Sequence, residues 1–305
     1  MERQRRQPDY SGVWGGGGEG AGGGGVRQNE FVRKGKEHFE TAILPKLRLI
    51  SEQVVNNMMI FIEGSVAYGF CDEQSDIDLD YYIDMDIDGD IRQRIRELFT
   101  GETYWHQGVR VSYGFSGAYW KFDLLMNDEM DRFWNEFDPY ALNNIMRAIP
   151  VWDPRGVLAL SQKKVECYPD EIKKKIIRGL WVTINDSGQY NFCEALKRNN
   201  IIEGRIYQYR AIEAMLRLVY VLNNQYFYPT KWLSAGLVNL QKDFGLRDAL
   251  DKIAASHCEE DDYKEFMKVH ENIKQFMIKH DSIELECIDN YSMIFQKPFH
   301  IFSAF

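Results

Sequence analysis

The first unbroken apolar run of the chain, Met58-Met59-Ile60-Phe61-Ile62, is short and bounded by polar residues, which predicts a buried strand. A second strand is predicted over Ile77–Ile83, with a short helix around Val66–Phe70 between the two. Upstream, Phe31, Phe39, Ile43 and Leu47 fall near one face of a helical pattern over Asn29–Asn57 despite Pro45, and this helix should cover the sheet. Downstream, Ile91–Phe99 reads as a helix. Gly108–Met126 reads as a hairpin, with Val109–Phe115 rising, Ser116-Gly117 turning and Tyr119–Met126 returning. Asn127–Ala148 predicts one or two helices, and Ile149–Leu158 a short strand and a turn. From there to about Asp281 the pattern is helical with few prolines. Helices are expected over Pro169–Val182, Tyr190–Lys197 and Ile202–Asn223, the last with Tyr209, Ile212, Leu216 and Val219 on its buried stripe. The pattern predicts an α+β chain in three parts: a tail over 1–28, a sheet-bearing domain over 29–160 and a helical domain over 161–305.

Composition narrows the picture. The 305 residues are 45% hydrophobic and 14% aromatic, ample for buried cores. Glycines 15–18, 20 and 22–25 follow polar and charged residues, with no strand ahead to make them a phosphate loop, so residues 1–28 are expected to form a flexible tail. Lys and Arg total 37 against 46 Asp and Glu, a formal charge of -9. A protein that grips a nucleic-acid backbone usually presents a basic face, so this balance weighs against a polymerase. Five Cys without a C-x-x-C pair argue against a disulfide framework or structural zinc. No apolar run approaches the roughly 18 residues that span a bilayer, and the N-terminus lacks the apolar core of a signal peptide. The expectation is a cytoplasmic protein with no membrane partner.

The candidate chemistry lies in Gly64–Asp80, G-S-V-A-Y-G-F-C-D-E-Q-S-D-I-D-L-D. A Gly-Ser pair after a buried strand lets backbone N–H groups approach phosphate oxygens. Eleven residues beyond Ser65, Asp76 and Asp78 are separated by one residue and project from the same strand face, where both can share divalent cations. From Cys71 to Asp90 there are nine acidic residues and no basic one. Such a field repels phosphates, so metal must arrive before or with a nucleotide.

The Gly-Ser pair, the Ala67-Tyr68-Gly69 continuation and Ser75-Asp76-Ile77-Asp78-Leu79 resemble the signature of the nucleotidyltransferase superfamily related to DNA polymerase beta. That family includes the kanamycin, streptomycin and lincosamide nucleotidyltransferases of antibiotic resistance. Asp153-Pro154-Arg155-Gly156 is also similar to a turn in those enzymes and their uncharacterised relatives. The resemblance implies a small mixed sheet that binds a nucleoside triphosphate, with ATP the expected one, on Mg²⁺ or Mn²⁺. It also implies a third carboxylate on a later strand. Asp123, inside the apolar Phe122-Asp-Leu-Leu125 run of the expected return strand, is the candidate. On this reading Asp76, Asp78 and Asp123 are the metal-binding and catalytic residues, while Gly64, Ser65 and Ser75 hold the nucleotide. The expected reaction transfers a nucleoside monophosphate to a hydroxyl of a small molecule and releases pyrophosphate. The acceptor stays open among an aminoglycoside-like sugar, another small alcohol and a protein hydroxyl. A regulatory or antitoxin-like module of the same fold and a nucleic-acid-tailing polymerase are the alternatives.

Asp84-Met-Asp86-Ile-Asp88-Gly89-Asp90-Ile91 fits the start of an EF-hand loop, but Arg92 and Ile95 occupy its ninth and twelfth positions, so these carboxylates read as solvated, with Asp88 or Asp90 capping the next helix. Arg210, Glu213 and Arg217 read as an exposed salt-bridge lattice. Lys231, in a Pro-Thr-Lys-Trp segment similar to one in a poorly characterised branch of the family, is placed in a helix's first turn, where it gains nothing from the dipole and could reach the triphosphate. No Glu occupies an obvious general-base position, although Glu194 and Glu213 are available. The apolar C-terminus Tyr291–Phe305 should dock by packing.

Overall fold

Among the described residues five strands form the sheet: Met58–Glu63 (β1), Ile77–Ile83 (β2), Tyr104–His106 (β3), Val109–Phe115 (β4) and Ile149–Trp152 (β5). The computed structural model describes residues 23–100, 104–115, 121–137, 139–256 and 259–299. The strand order is β3-β4-β2-β1-β5. Among the described residues, only β2 and β4 run parallel. With helices around it and a helical C-terminal part, the chain is α+β with a mixed sheet.

Packing divides the chain into two compact units. One comprises residues up to Asn127 with Arg147–Ser161, the other Asp128–Met146 with everything from Gln162 onward. The segment 128–146 thus packs with the helical unit rather than with the sheet that precedes it in sequence. Gln162 Nε2 donates to the Ile145 carbonyl at 3.0 Å, and the Trp134 ring lies 6.3 Å from that of Tyr168.

In the sheet unit, cross-strand partners decide which side chains share a face. Glu63, Phe61 and Met59 of β1 stand opposite Asp78, Asp80 and Tyr82 of β2, so all six project to one side. The other side carries Ile62 and Ile77. There the helix Gly23–His38 approaches so closely that a Cβ on Gly35 would lie 3.2 Å from both. This helix begins before the expected Asn29, and Gln28 Nε2 ties it to the Val66 carbonyl at 2.8 Å. Residues 1–22 of the expected tail lie outside the described residues. The helical stretch is interrupted, not continuous. A π-turn at Phe39–Ile43 precedes Pro45, which lacks an N–H and crowds the carbonyl four residues back, and Leu44 N–H reaches instead to Phe39. Ser51 then ends the run and caps Glu52–Asn56 by accepting from Val54 N–H at 3.3 Å.

The hairpin also differs from expectation. β4 takes its antiparallel partner from the preceding segment through Gln107-Gly108, both at positive φ, which suits a tight turn. Phe122–Met126 is a helix, not a return strand, and it buries Phe122, Leu124 and Leu125. Phe122 packs 5.9 Å from the Phe61 ring and 5.2 Å from that of Tyr82, on the Asp78 face of the sheet. The expected turn at Ser116-Gly117 lies outside the described residues.

In the helical unit, Asp170–Thr183, a π-helical stretch Ile184–Phe192 and Cys193–Lys197 follow one another without a break where two separate helices were expected. His270, stacked on Trp181 at 4.6 Å, meets Asn185 Oδ1 at 3.0 Å, and burial holds its imidazole down to about 4. Gly188 sits in the π-stretch where an added Cβ would overlap the Phe266 ring. Overpacking of this kind costs about 1–3 kcal/mol. Gly188→Ala is therefore expected to lower the calorimetric midpoint by about 3–10 °C. An unchanged midpoint would show that the ring moves aside freely.

The Arg210, Glu213 and Arg217 trio is not a solvated lattice: Arg217 is buried, pairs with Glu213 at 2.7 Å and lies over the Phe227 ring. No described helix is long and apolar enough to cross a membrane.

Candidate functional site

Because β1 and β2 are antiparallel, the end of the first meets the start of the second, and Gly64 follows directly after the Glu63–Asp78 pair. Gly64 adopts φ +65°, and a Cβ there would stand 2.9 Å from Asp78 Oδ2. Backbone conformation and the neighbouring carboxylate both demand glycine. The chain then enters the short helix Gly64–Tyr68, two residues earlier than the sequence predicts, and Gly69 at φ +77° closes it. Ser65 is 8% exposed, and its hydroxyl makes no hydrogen bond among the described residues.

The carboxylates follow the period of two along β2. Asp76, just before the strand, is ion-paired with Arg110 of β4. Asp78 accepts from Ser112 Oγ at 2.7 Å, and Ser112 is its cross-strand partner in the parallel pair. Asp80 comes next. It stands opposite Gly114, where any Cβ would overlap its carboxylate, and it is 8% exposed. Burial, and then the charge of Asp78, push its carboxyl up to about 7. Among the described residues no hydrogen-bond donor reaches it. Sequence reasoning missed Asp80, although its place two residues beyond Asp78 was visible. It also missed Arg110 and Ser112, whose role depends on the long-range pairing of β2 with β4.

The other expected residues are placed differently. Ser75 closes a local turn, its hydroxyl donating to Asp72 Oδ1 at 2.9 Å and accepting from Asp72 N–H at 2.9 Å. Asp123 is exposed on the helix Phe122–Met126, and its charge acts on the Tyr82 phenol, four residues along β2 from Asp78. The strand expected to carry Asp123 alongside Asp76 and Asp78 is not formed. Among the described residues no three His, Cys, Asp or Glu side chains are gathered to hold one ion. In the helical unit, Lys231 is exposed in a 3₁₀ turn, Thr230–Trp232, with its ammonium 5.8 Å from the Trp232 ring. Thr230 donates to Glu213 at 2.9 Å. Glu194 is held by Lys197 and Arg198, at 2.8 and 2.9 Å. Asp84, in the EF-hand-like run, pairs with Arg155 at 2.8 Å, and Asp88 Oδ1 caps the following helix through Asp90 N–H.

Residues 134–233 match the model of a domain of unknown function, DUF4037, and that match lies wholly C-terminal to the Gly64–Asp80 segment. No curated protein matches the chain. Among solved structures the chain is similar to a nucleotidyltransferase-like protein from Exiguobacterium sibiricum, with 11% identity over 86% of this chain and 78% of that one and a TM-score of 0.43.

Proposed function

We propose that the protein transfers a nucleoside monophosphate from a nucleoside triphosphate, ATP foremost, to a hydroxyl of a small molecule and releases pyrophosphate in a cation-dependent reaction. The observation that carries this reading is the meeting, at one end of the sheet, of the Gly64 turn with Asp78, with Asp76 two residues before it in the chain. Ser65, 8% exposed and with no hydrogen bond from its hydroxyl among the described residues, adds a donor suited to a phosphate oxygen.

The donor set also fits a divalent cation of the Mg²⁺ class. It consists of carboxylate and hydroxyl oxygens, and Gly64 leaves space for the Asp78 carboxylate. Asp76 and Asp78 would hold the ion. When bound, Mg²⁺ supplies positive charge against the phosphates and against the negative charge that builds up in transfer. Gly64 N–H and the Ser65 hydroxyl would orient the triphosphate. Arg110, beside Asp76, adds a second cation to a strongly acidic neighbourhood. The acceptor oxygen attacks the α-phosphorus, its proton leaves to solvent, the bond to the β-phosphate bridging oxygen breaks and pyrophosphate departs. Here the chain contributes positioning and charge compensation without a covalent intermediate.

The test is incubation of the full chain with Mg²⁺, each α-labelled triphosphate and a panel of hydroxylated small molecules plus cell extract. Label joined to a small molecule, with pyrophosphate released in equal amount, is the expected result. Label on a polypeptide would redirect the reading to a protein-modifying adenylyltransferase. Nucleotide bound without turnover would redirect it to a regulatory module.

A further inference from the structure

We infer that the outward face of the helix Ile201–Leu222 is a self-association surface, on which a second copy of the chain packs antiparallel. That surface belongs to the helical unit alone and owes nothing to the reaction proposed above. Tyr209, expected on the buried stripe of this helix, is instead 56% exposed. It stands in line with Ile202, 73% exposed, and Ile206, 46% exposed.

Positions 202, 206 and 209 recur at intervals of four and three, so their side chains form one apolar stripe along the N-terminal half of the helix. Ile201 adjoins it and is exposed too. The opposite face, with Gly204, Gln208 and Ala211, is buried within the unit. A single exposed apolar side chain needs no explanation. A row of them on a helix face does, since the solvent side of such a helix ordinarily carries polar residues. Two charges indicate what covers the row. Glu203 and Arg210 lie seven residues apart on one flank of the stripe, about 10 Å along the axis and too far to meet each other. Among the described residues neither takes part in an ion pair or a side-chain hydrogen bond. The charges beside them are engaged within the chain. Arg205 donates to the Tyr209 hydroxyl at 3.2 Å and to the Ser256 carbonyl at 3.5 Å, while Glu213 is held by Arg217 and Thr230.

When two such helices lie antiparallel about a twofold axis near Ile206, the same flank of each copy faces the other. Glu203 of each then meets the partner's Arg210, once on either side of the axis. Ile206 packs on the partner's Ile206, and Ile202 on the partner's Tyr209, whose ring Arg205 has already oriented. A parallel pairing would instead set glutamate against glutamate and arginine against arginine. Opposite charges unsatisfied within the chain, placed at the two ends of an apolar row, are complementary to the same surface turned end for end.

The experiment is sedimentation velocity of the full chain over a range of concentrations, with circular dichroism as the check on folding. The wild-type chain is expected to form dimers as concentration rises. Ile206→Glu places a charge at the centre of the exposed stripe and should leave the chain folded and monomeric. Glu203→Arg and Arg210→Glu, each alone, set like charges against each other across the axis and should weaken the dimer by about tenfold or more. Mixed in equal amounts, these two variants restore both ion pairs, and a heterodimer of near wild-type affinity is expected.

A wild-type chain that stays monomeric at every concentration overturns the inference, whatever else the stripe binds. So does a dimer that folded Ile206→Glu leaves intact, which would form through another face. A dimer indifferent to both charge reversals, or two weakened variants that fail to recover on mixing, overturns the antiparallel pairing. The mixing arm changes only exposed charges, so it remains decisive if Ile206→Glu fails to fold.

Discussion

Asp78→Asn is expected to lower magnesium-dependent pyrophosphate release by about 10³-fold or more, some 4 kcal/mol at 1.4 kcal/mol per decade. The thermal midpoint should barely move. Asp78 is the centre of the candidate site: Gly64 is shaped around it, Ser112 donates to it and Asp80 lies beside it. Asn is nearly isosteric, so the turn at Gly64 keeps its geometry and the amide oxygen still accepts from Ser112. What disappears is the negative charge. In the metal-free protein that loss relieves repulsion with Asp80, so stability holds or rises slightly. A matched assay of turnover and melting separates the two effects. A large fall in the midpoint together with lost activity would identify Asp78 as a structural residue, and retained activity would remove it from the site.

The second large effect lies in the helical unit and concerns stability alone. Arg178 is 4% exposed, and its guanidinium joins Glu284 in a two-point ion pair, with Nε to Oε2 at 3.0 Å, while also donating to the Pro298 carbonyl at 3.0 Å. One buried side chain thus fastens the C-terminal segment to the helix Asp170–Thr183. The docking expected of Tyr291–Phe305 therefore uses a charge as well as packing, with residues 300–305 outside the described residues. Arg178→Ala leaves Glu284 and a backbone carbonyl without their donor, at a cost of about 3 kcal/mol. At this size the midpoint should fall by about 6–12 °C.

The same pair predicts an acid response. Hydrogen bonding to Arg178, offset in part by burial, holds the Glu284 carboxyl down to about 2 from its ordinary value of 4.5. A carboxyl whose folded value is depressed adds stability above its unfolded value and loses it as pH falls from about 4.5 toward about 2. Denaturant titrations across that range should therefore show a shallower acid loss in Arg178→Ala than in the wild-type chain. Parallel curves would mean that the pair contributes nothing. Because Glu284 is 34% exposed, solvent screens part of the effect.

How much of this was legible in the chain follows from how local each signal is. β1 was readable to within a residue because it is a compact apolar run and β2 because apolar residues alternate with aspartates along it, and the Gly64-Ser65 turn was readable because a glycine after a strand of that kind has few other uses. The spacing of Asp76 and Asp78 was readable for the same reason. Phe122–Met126 was not, since an apolar stretch with one Asp fits a strand or a buried helix equally, and burial of Phe122, Leu124 and Leu125 decided for the helix. The π-turns before Pro45 and around Gly188 depend on backbone hydrogen bonds and on the Phe266 ring, neither of which leaves a local pattern. Arg110, Ser112 and Gly114 come to stand against Asp76, Asp78 and Asp80 only through the parallel pairing of β4 with β2, across more than thirty residues of chain. The packing of segment 128–146 with the helical unit was hidden for the same reason.

The most direct measurement is equilibrium binding of a non-hydrolysable ATP analogue to the wild-type chain and to Asp78→Asn, with magnesium present and then chelated. The account expects binding to the wild-type chain with magnesium, and its loss both on chelation and in the variant. Equal affinity in all four conditions would contradict it.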